Sequence, residues 1–171
     1  MVAKAPPFDQ LLRECEHSAV HLEMRDGYMR SDPAFIAWQT GERIDPAVRW
    51  PSWAELLSSV LRRGVGVRRA RIISEPISDY VRYEYDVTDG LNIAAGEQVR
   101  WLPRRVATGL ALPGNDFWLF DESRLLVNHF NGEGESTGHE LVDDPDVVKL
   151  CATSFEAVWE HAVPHADYRP T

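Results

Sequence analysis

The chain is 171 residues long, 44% hydrophobic and 26% charged, with a formal net charge of −9 and two cysteines. That length and composition fit one folded domain and exclude a disordered or fibrous chain, and no apolar run approaches the ~20 residues that span a bilayer. The negative charge opposes non-specific binding to a nucleic-acid backbone, and a single pair of cysteines builds no disulfide framework.

The opening MVAKAPPF carries one lysine and no apolar stretch behind it, so no secretory leader is expected and the cytoplasm is the expected compartment. Phe8, Leu11, Leu12 and Cys15 recur at helical spacing and predict a helix over Phe8 to Glu16. From Ala19 to Met24 the pattern alternates: Val20, Leu22 and Met24 lie on one side of a strand, with Ala19, His21 and Glu23 on the other. Asp32 and Pro33 start a short helix through Trp38, which Gly41 stops. The clearest helix is predicted over Trp53 to Arg63, with Ser52 and Glu55 as a capping box and Gly64 as its end.

A strand follows at Val67 to Ser74, and Pro76 blocks its continuation. Ser78 or Asp79 can then cap a helix through Tyr85. Gln98 to Leu102 is another strand. Asp116 to Phe120 and Leu125 to Phe130 form a hairpin around Asp121, Glu122 and Ser123, and Asn131-Gly132 ends its second strand. The polar NGEGESTG stretch reads as a mobile loop. The last helix starts at Asp144 and Pro145, with Val147, Val148, Cys151, Phe155, Val158 and Trp159 on its buried side, and Pro164 limits it. The expected fold is a single α/β domain over residues 1–171: a mixed, mainly parallel sheet covered by helices.

Sites for familiar chemistry are sparse. His17 and His21, like His161 and His165, are four apart, but a strand or Pro164 interrupts the helix such a metal site needs. Cys15 and Cys151 fall on apolar helix faces and read as buried thiols, and Asp143 and Asp144 precede a helix they can cap. No Gly-rich phosphate loop and no nucleophile elbow occur, so no cofactor, metal or catalytic residue is assigned.

The arginines are the informative feature. Nine of the sixteen lie between Arg62 and Arg105, against six carboxylates, while lysine occurs only at positions 4 and 149. The guanidinium fork suits carboxylate or phosphate in a bidentate way. On a strand, Arg69 and Arg71 point to the side of Val67 and Ile73, and Arg68 points the other way with Ala70 and Ile72. Buried guanidinium groups need partners, and Glu75, Asp79 and Glu84 are near in sequence. Two readings stay open: an internal ion-pair lock, or a binding corner at the strand-to-helix turn made by Arg69, Arg71, Glu75, Asp79 and Arg82. Trp101 and Trp118 read as sheet packing.

The string ISEPISDYVRYEYDVTDGLNIAAGEQVRWLPR, with the later DFWLFD run, resembles an actinobacterial family of uncharacterised proteins with an SEPxSDYxRxE signature. Members of such families are often encoded near helix-turn-helix regulators, which implies a regulatory or partner-binding role. The second half, from QVRWLP through DFWLFDESRLLVNHF to FEAVWEHA, is similar to phospholipase D-like domains. In those enzymes a His-x-Lys followed by Asp does the chemistry. With Asp121 at the Asp position, the His position falls on Gly114 and the Lys position on Asp116, so the resemblance carries the fold and not the activity.

The expected function is a non-catalytic regulatory domain that binds a protein partner or a small anionic ligand. It is not expected to associate with membranes, and homodimerisation is one of its implied modes. The alternatives are a phosphodiesterase with a non-standard site, using His129 or Asp121, and a nucleic-acid binder whose affinity falls steeply with salt.

Overall fold

A computed structural model describes residues 6–171. Residues 1–5, which include Lys4 and most of the MVAKAPPF opening, lie outside the described part. Seven strands form one sheet in the order β6-β5-β4-β1-β2-β3-β7. Their ranges are β1 Ser18–Glu23, β2 Gly66–Ile73, β3 Gln98–Pro103, β4 Asp116–Phe120, β5 Arg124–Phe130, β6 Ser136–Val142 and β7 Val163–Pro164. The helices are α1 Phe8–Glu14, α2 Pro33–Gln39, α3 Pro46–Arg49, α4 Pro51–Arg62, α5 Asp79–Thr88 and α6 Pro145–His161. The sheet is mixed, as expected, but only β1–β2 and β2–β3 pair in parallel, while β1–β4, β4–β5, β5–β6 and β3–β7 are antiparallel. The parallel part is therefore confined to the centre. Hairpin turns after β4 and β5 make the antiparallel wing, because short turns can join only antiparallel strands.

The pleat divides the sheet into two unlike faces. Val20, Leu22, Ala70, Ile72, Leu102, Phe117, Leu119 and Leu125 pack against Val148, Cys151, Phe155 and Val158 of α6. Arg68 joins that face through its stem: its guanidinium lies 5.0 Å from the Phe155 ring and 5.3 Å from the Trp159 ring, and it grips Glu156 at 2.6 and 3.1 Å. Glu156 is mostly exposed, so the cation–π contacts carry more than the ion pair. Arg68→Ala is expected to lower stability by about 1 kcal/mol in urea unfolding.

The opposite face is apolar only at one end. There α1 and α4 bury Leu11, Leu12, Leu57 and Val60 on Ala19, Val67, Phe120 and Leu126. At the other end α2 and α5 contribute Phe35, Tyr80, Tyr83 and Val87 to an aromatic cluster with Tyr28. Between these lids lies a polar stretch of sheet that includes His21, Glu23, Arg69 and Arg71.

Several local expectations change. Helix α4 begins at Pro51 with Trp50 as its cap and no side-chain cap bond, so Ser52 is inside the helix and the Ser52–Glu55 capping box is not formed. The NGEGESTG segment is not a loop throughout: Ser136–Val142 pairs with β5, and the turn before it is tied by the Asn131 side chain accepting from the backbone N–H of Glu133 and Glu135. Gly134 has φ +84°, and a Cβ there would meet the Gly27 carbonyl at 3.1 Å, so this turn docks closely on the loop after β1. Val147 is 38% exposed and does not join the buried side of α6. The π-helical turn Asp89–Ile93 and the edge strand β7 also had no sequence expectation. Both cysteines are free, buried thiols whose burial pushes their pKa up to about 11.

Candidate functional site

The polar stretch is built by register. In β1–β2 pairing His21 faces Arg69 and Glu23 faces Arg71, and the pleat turns all four to the same side. In the wing, Asp116 pairs with Asn128, which pairs with His139, on that side too. Strand alternation thus places a polar row on a sheet whose other side is oily. Two contiguous cavities, of about 390 and about 540 Å³, lie over it and share His21, Met29, Trp50, Arg69, Arg71 and Asn128 among their walls. That is the size of a small-molecule site.

Arg69 and Arg71 are 9% and 5% exposed, and their charges are matched from below. Glu23 accepts from Arg69 Nη1 at 2.6 Å and from Arg71 Nε at 2.5 Å. Glu97, fully buried at the turn before β3, accepts from Arg69 Nε at 2.7 Å and from Asn92 Nδ2 at 2.5 Å. Arg71 Nη1 donates to the Thr88 hydroxyl at 2.7 Å. The Arg69 guanidinium also lies over Trp118, and that of Arg71 over Trp101. Burial works against the Glu23 carboxylate, but Arg71, Arg69 and His21 outweigh it and hold Glu23 well below the usual range. Burial likewise opposes both guanidinium charges, and Glu97 with Glu23, or Glu23 with Glu84, raises them further.

His21 stacks on Trp118 at 4.3 Å, with Nδ1 2.8 Å from the Phe117 carbonyl and Nε2 3.1 Å from Glu23 Oε1. Both nitrogens face acceptors, so the ring satisfies both contacts only when each nitrogen carries a proton. Asp116 accepts from the Tyr28 hydroxyl and from the Met24 backbone N–H at 3.0 Å. Its pKa is raised, chiefly by burial.

One acid is left over. The Glu84 carboxylate makes no hydrogen bond among the described residues, and its nearest cation is Arg71 Nε at 4.0 Å. Burial pushes its pKa up to about 8 against the pull of Arg71, with Glu23 adding to the rise.

The structure divides the five residues singled out in the sequence. Arg69 and Arg71 enter the cleft. Glu75 leaves it, accepting from the Tyr168 hydroxyl at 3.0 Å and facing Arg105 at 3.5 Å. Asp79 is exposed, holding Gln39 at 2.9 Å and Arg30 at 3.6 Å. Arg82 is half-buried on α5 and lines neither cavity. Of the three carboxylates expected to pair with the arginines, only Glu84 comes near; Glu23 and Glu97 do the pairing. The residues that sequence reasoning did not assign to a site are Glu23, Glu97, His21 and Asp116. The alternation in SAVHLE could have flagged His21 and Glu23, because two ionisable side chains share the face of a strand whose other face is apolar.

The positions that would carry phospholipase D chemistry are otherwise occupied. Gly114 has no side chain to offer, and Asp116 binds Tyr28. Asp121 lies at the far end of β4, where it accepts from the backbone N–H of Glu16, His17 and Ser18 at 2.9, 2.7 and 3.0 Å. Burial opposes its charge, but these donors and Cys15 bring its pKa to about 2. Asp121→Ala is expected to lower stability by about 2 kcal/mol, read from chemical unfolding, because three N–H groups lose a charged acceptor. His129 is on the surface, 3.0 Å from Glu140.

Comparison with known proteins agrees on the fold. The chain is similar to the crystal structure of a phospholipase D family member, Nuc from Salmonella typhimurium, with a TM-score of 0.51 and 11% identity over 94% of this chain and 88% of that one. It is similar to NucT from Helicobacter pylori with a TM-score of 0.50 and 11% identity over 91% of this chain and 87% of that one. At such identity the likeness is one of fold, which is phospholipase D-like. No curated protein sequence matches the chain. No described helix is long and apolar enough to cross a membrane. The family model "Domain of unknown function (DUF6879)" matches residues 6–170, and the chain belongs to that family.

Proposed function

We propose that this domain is a non-catalytic binding module: the cleft over Arg69 and Arg71 takes a small ligand with an anionic group, and its occupancy is passed to a regulatory partner. The observation that carries the reading is the state of the two guanidinium groups. Each spends Nε and Nη1 on internal partners and leaves Nη2 without one among the described residues. The only sealed, unpartnered side-chain nitrogen or oxygen atoms among the described residues are Arg25 Nε and Asn92 Oδ1, so neither Nη2 group is sealed from solvent, and both arginines line the cleft. In this reading the ion-pair lock and the anion site share one pair of arginines, without Glu75, Asp79 or Arg82. Carboxylates below fix the guanidinium planes, and the free edges above are held ready for an acceptor.

Isothermal titration with phosphate monoesters, dicarboxylates and free amino acids tests the reading. At least one acid should bind, and Trp50→Ala, which removes a half-buried wall residue, should weaken it at least tenfold with the fold intact by circular dichroism. The regulatory setting is an expectation from the resemblance of the ISEPISDYVRYEYD string, and co-purification with a helix-turn-helix protein checks it. The phosphodiesterase alternative draws on the fold likeness alone. Turnover of bis(p-nitrophenyl) phosphate that is lost on replacing His129 or Asp121 would favour it over the binding module.

A further inference from the structure

The cleft is not uniformly cationic. Beside the free edges of Arg69 and Arg71 sits Glu84, 8% exposed, whose carboxylate has no hydrogen-bond donor although its oxygens are not sealed from solvent. A buried carboxylate without a partner is costly, and the ordinary remedy lies next to it in Arg71. Yet Arg71 gives Nε to Glu23 and Nη1 to Thr88, and stops 4.0 Å short of Glu84. The sheet and the helix therefore present a guanidinium edge and a bare carboxylate side by side. Tyr28, Tyr80 and Tyr83 line the same cavity as Glu84: the Tyr80 and Tyr83 ring centroids are 5.7 Å apart, and Tyr28 lies 6.0 Å from Tyr80. Aromatic faces beside a carboxylate in a partly dry pocket favour an ammonium group.

An anion alone would answer the arginines and leave Glu84 bare, and an amine alone would do the reverse. A ligand that carries both charges on adjacent atoms answers both. We propose that the ligand is a small zwitterion of the α-amino-acid type, its carboxylate held by Nη2 of Arg69 and Arg71 and its ammonium by Glu84 among Tyr28, Tyr80 and Tyr83. The side chain then points along the cleft toward Trp50, Trp53 and Leu91, which suits a large apolar or aromatic one. The inference rests on the reading that the cleft takes an anionic group. Because burial pushes the Glu84 pKa up to about 8, seating an ammonium beside it should release a proton near neutrality.

The test is calorimetric titration with the twenty proteinogenic L-amino acids. For those that bind, the N-acetyl form, which lacks the ammonium, and the amide form, which lacks the carboxylate, are titrated next. The expected result is binding of at least one large apolar amino acid and at least tenfold weaker binding of both derivatives. Glu84→Gln, an isosteric change, should weaken the free amino acid at least tenfold and leave the N-acetyl form unchanged. The binding heat should vary with buffer ionisation enthalpy in the wild type and not in the variant. An N-acetyl form that binds as well as its parent, with no effect of Glu84→Gln, overturns the zwitterion and leaves the anion reading standing. Binding of phosphate monoesters or dicarboxylates without any amino acid does the same. No binding of any of these acids overturns both.

Discussion

Glu23→Gln should lower the stability of this domain by about 3–5 kcal/mol, a drop of roughly 10 °C in midpoint temperature for a chain of this size. The side chain is nearly as large as before, so packing is not the cause. Glu23 is the common acceptor of His21, Arg69 and Arg71, and it is 9% exposed. An amide in its place offers one acceptor oxygen instead of two and turns its own N–H groups toward donors. Arg71 then has no ionised carboxylate within hydrogen-bond distance, because Glu84 is 4.0 Å away. The comparison that isolates burial is Arg105→Ala. Arg105 faces Glu75 at 3.5 Å with its own side chain 77% exposed, and its loss should change stability by less than about 0.5 kcal/mol. Urea unfolding of both variants gives the contrast, and a Glu23→Gln loss no larger than that of Arg105→Ala would mean the buried network is not a lock.

That network also marks where the sequence was legible and where it was not. The alternation of GVRRARII told which arginines share a face, because the pleat is a property of the strand alone. Of the partners expected nearby in the chain, Glu75, Asp79 and Glu84, the strand-to-helix turn carries the first two away from the sheet, and Glu84 stops 4.0 Å from Arg71. The true partners come from the strand pairing, which no local pattern encodes. Glu23 reaches Arg71 because β1 runs parallel to β2 in a register that sets the two opposite, and Glu97 reaches Arg69 from the turn before β3. Strand β6 has no sequence signature for a different reason: Ser136, Thr137 and Gly138 belong to an exposed edge and carry no apolar alternation. The helix starts at Asp32, Ser78 and Asp144 were readable because a capping side chain acts within three residues of itself.

Glu84→Gln should raise stability at pH 8 by an amount on the order of 2–4 kcal/mol and have little effect near pH 5. The sign follows from proton counts. The unfolded chain releases the Glu84 proton near 4.5, whereas the folded chain keeps it until about pH 8. Across that window the folded state holds more protons than the unfolded one, so stability falls as pH rises. The groups that face Glu84 are Arg71 and Arg69 from β2, Glu23 from β1 and Asp116 from β4. Of these, Asp116 has a raised pKa and adds a slope of the same sign. Glu23 and Asp121, both lowered, act at more acid pH, where stability is lost as they protonate. Chemical unfolding at pH 5, 6, 7 and 8 should therefore show a downward slope in the wild type that flattens in the variant. Equal slopes would place the ionised carboxylate in water rather than in the cleft. A glutamine would fill the same space without this penalty near neutral pH. A fold that keeps an acid working against its own stability, beside two guanidinium edges it does not use, fits the proposed zwitterion site.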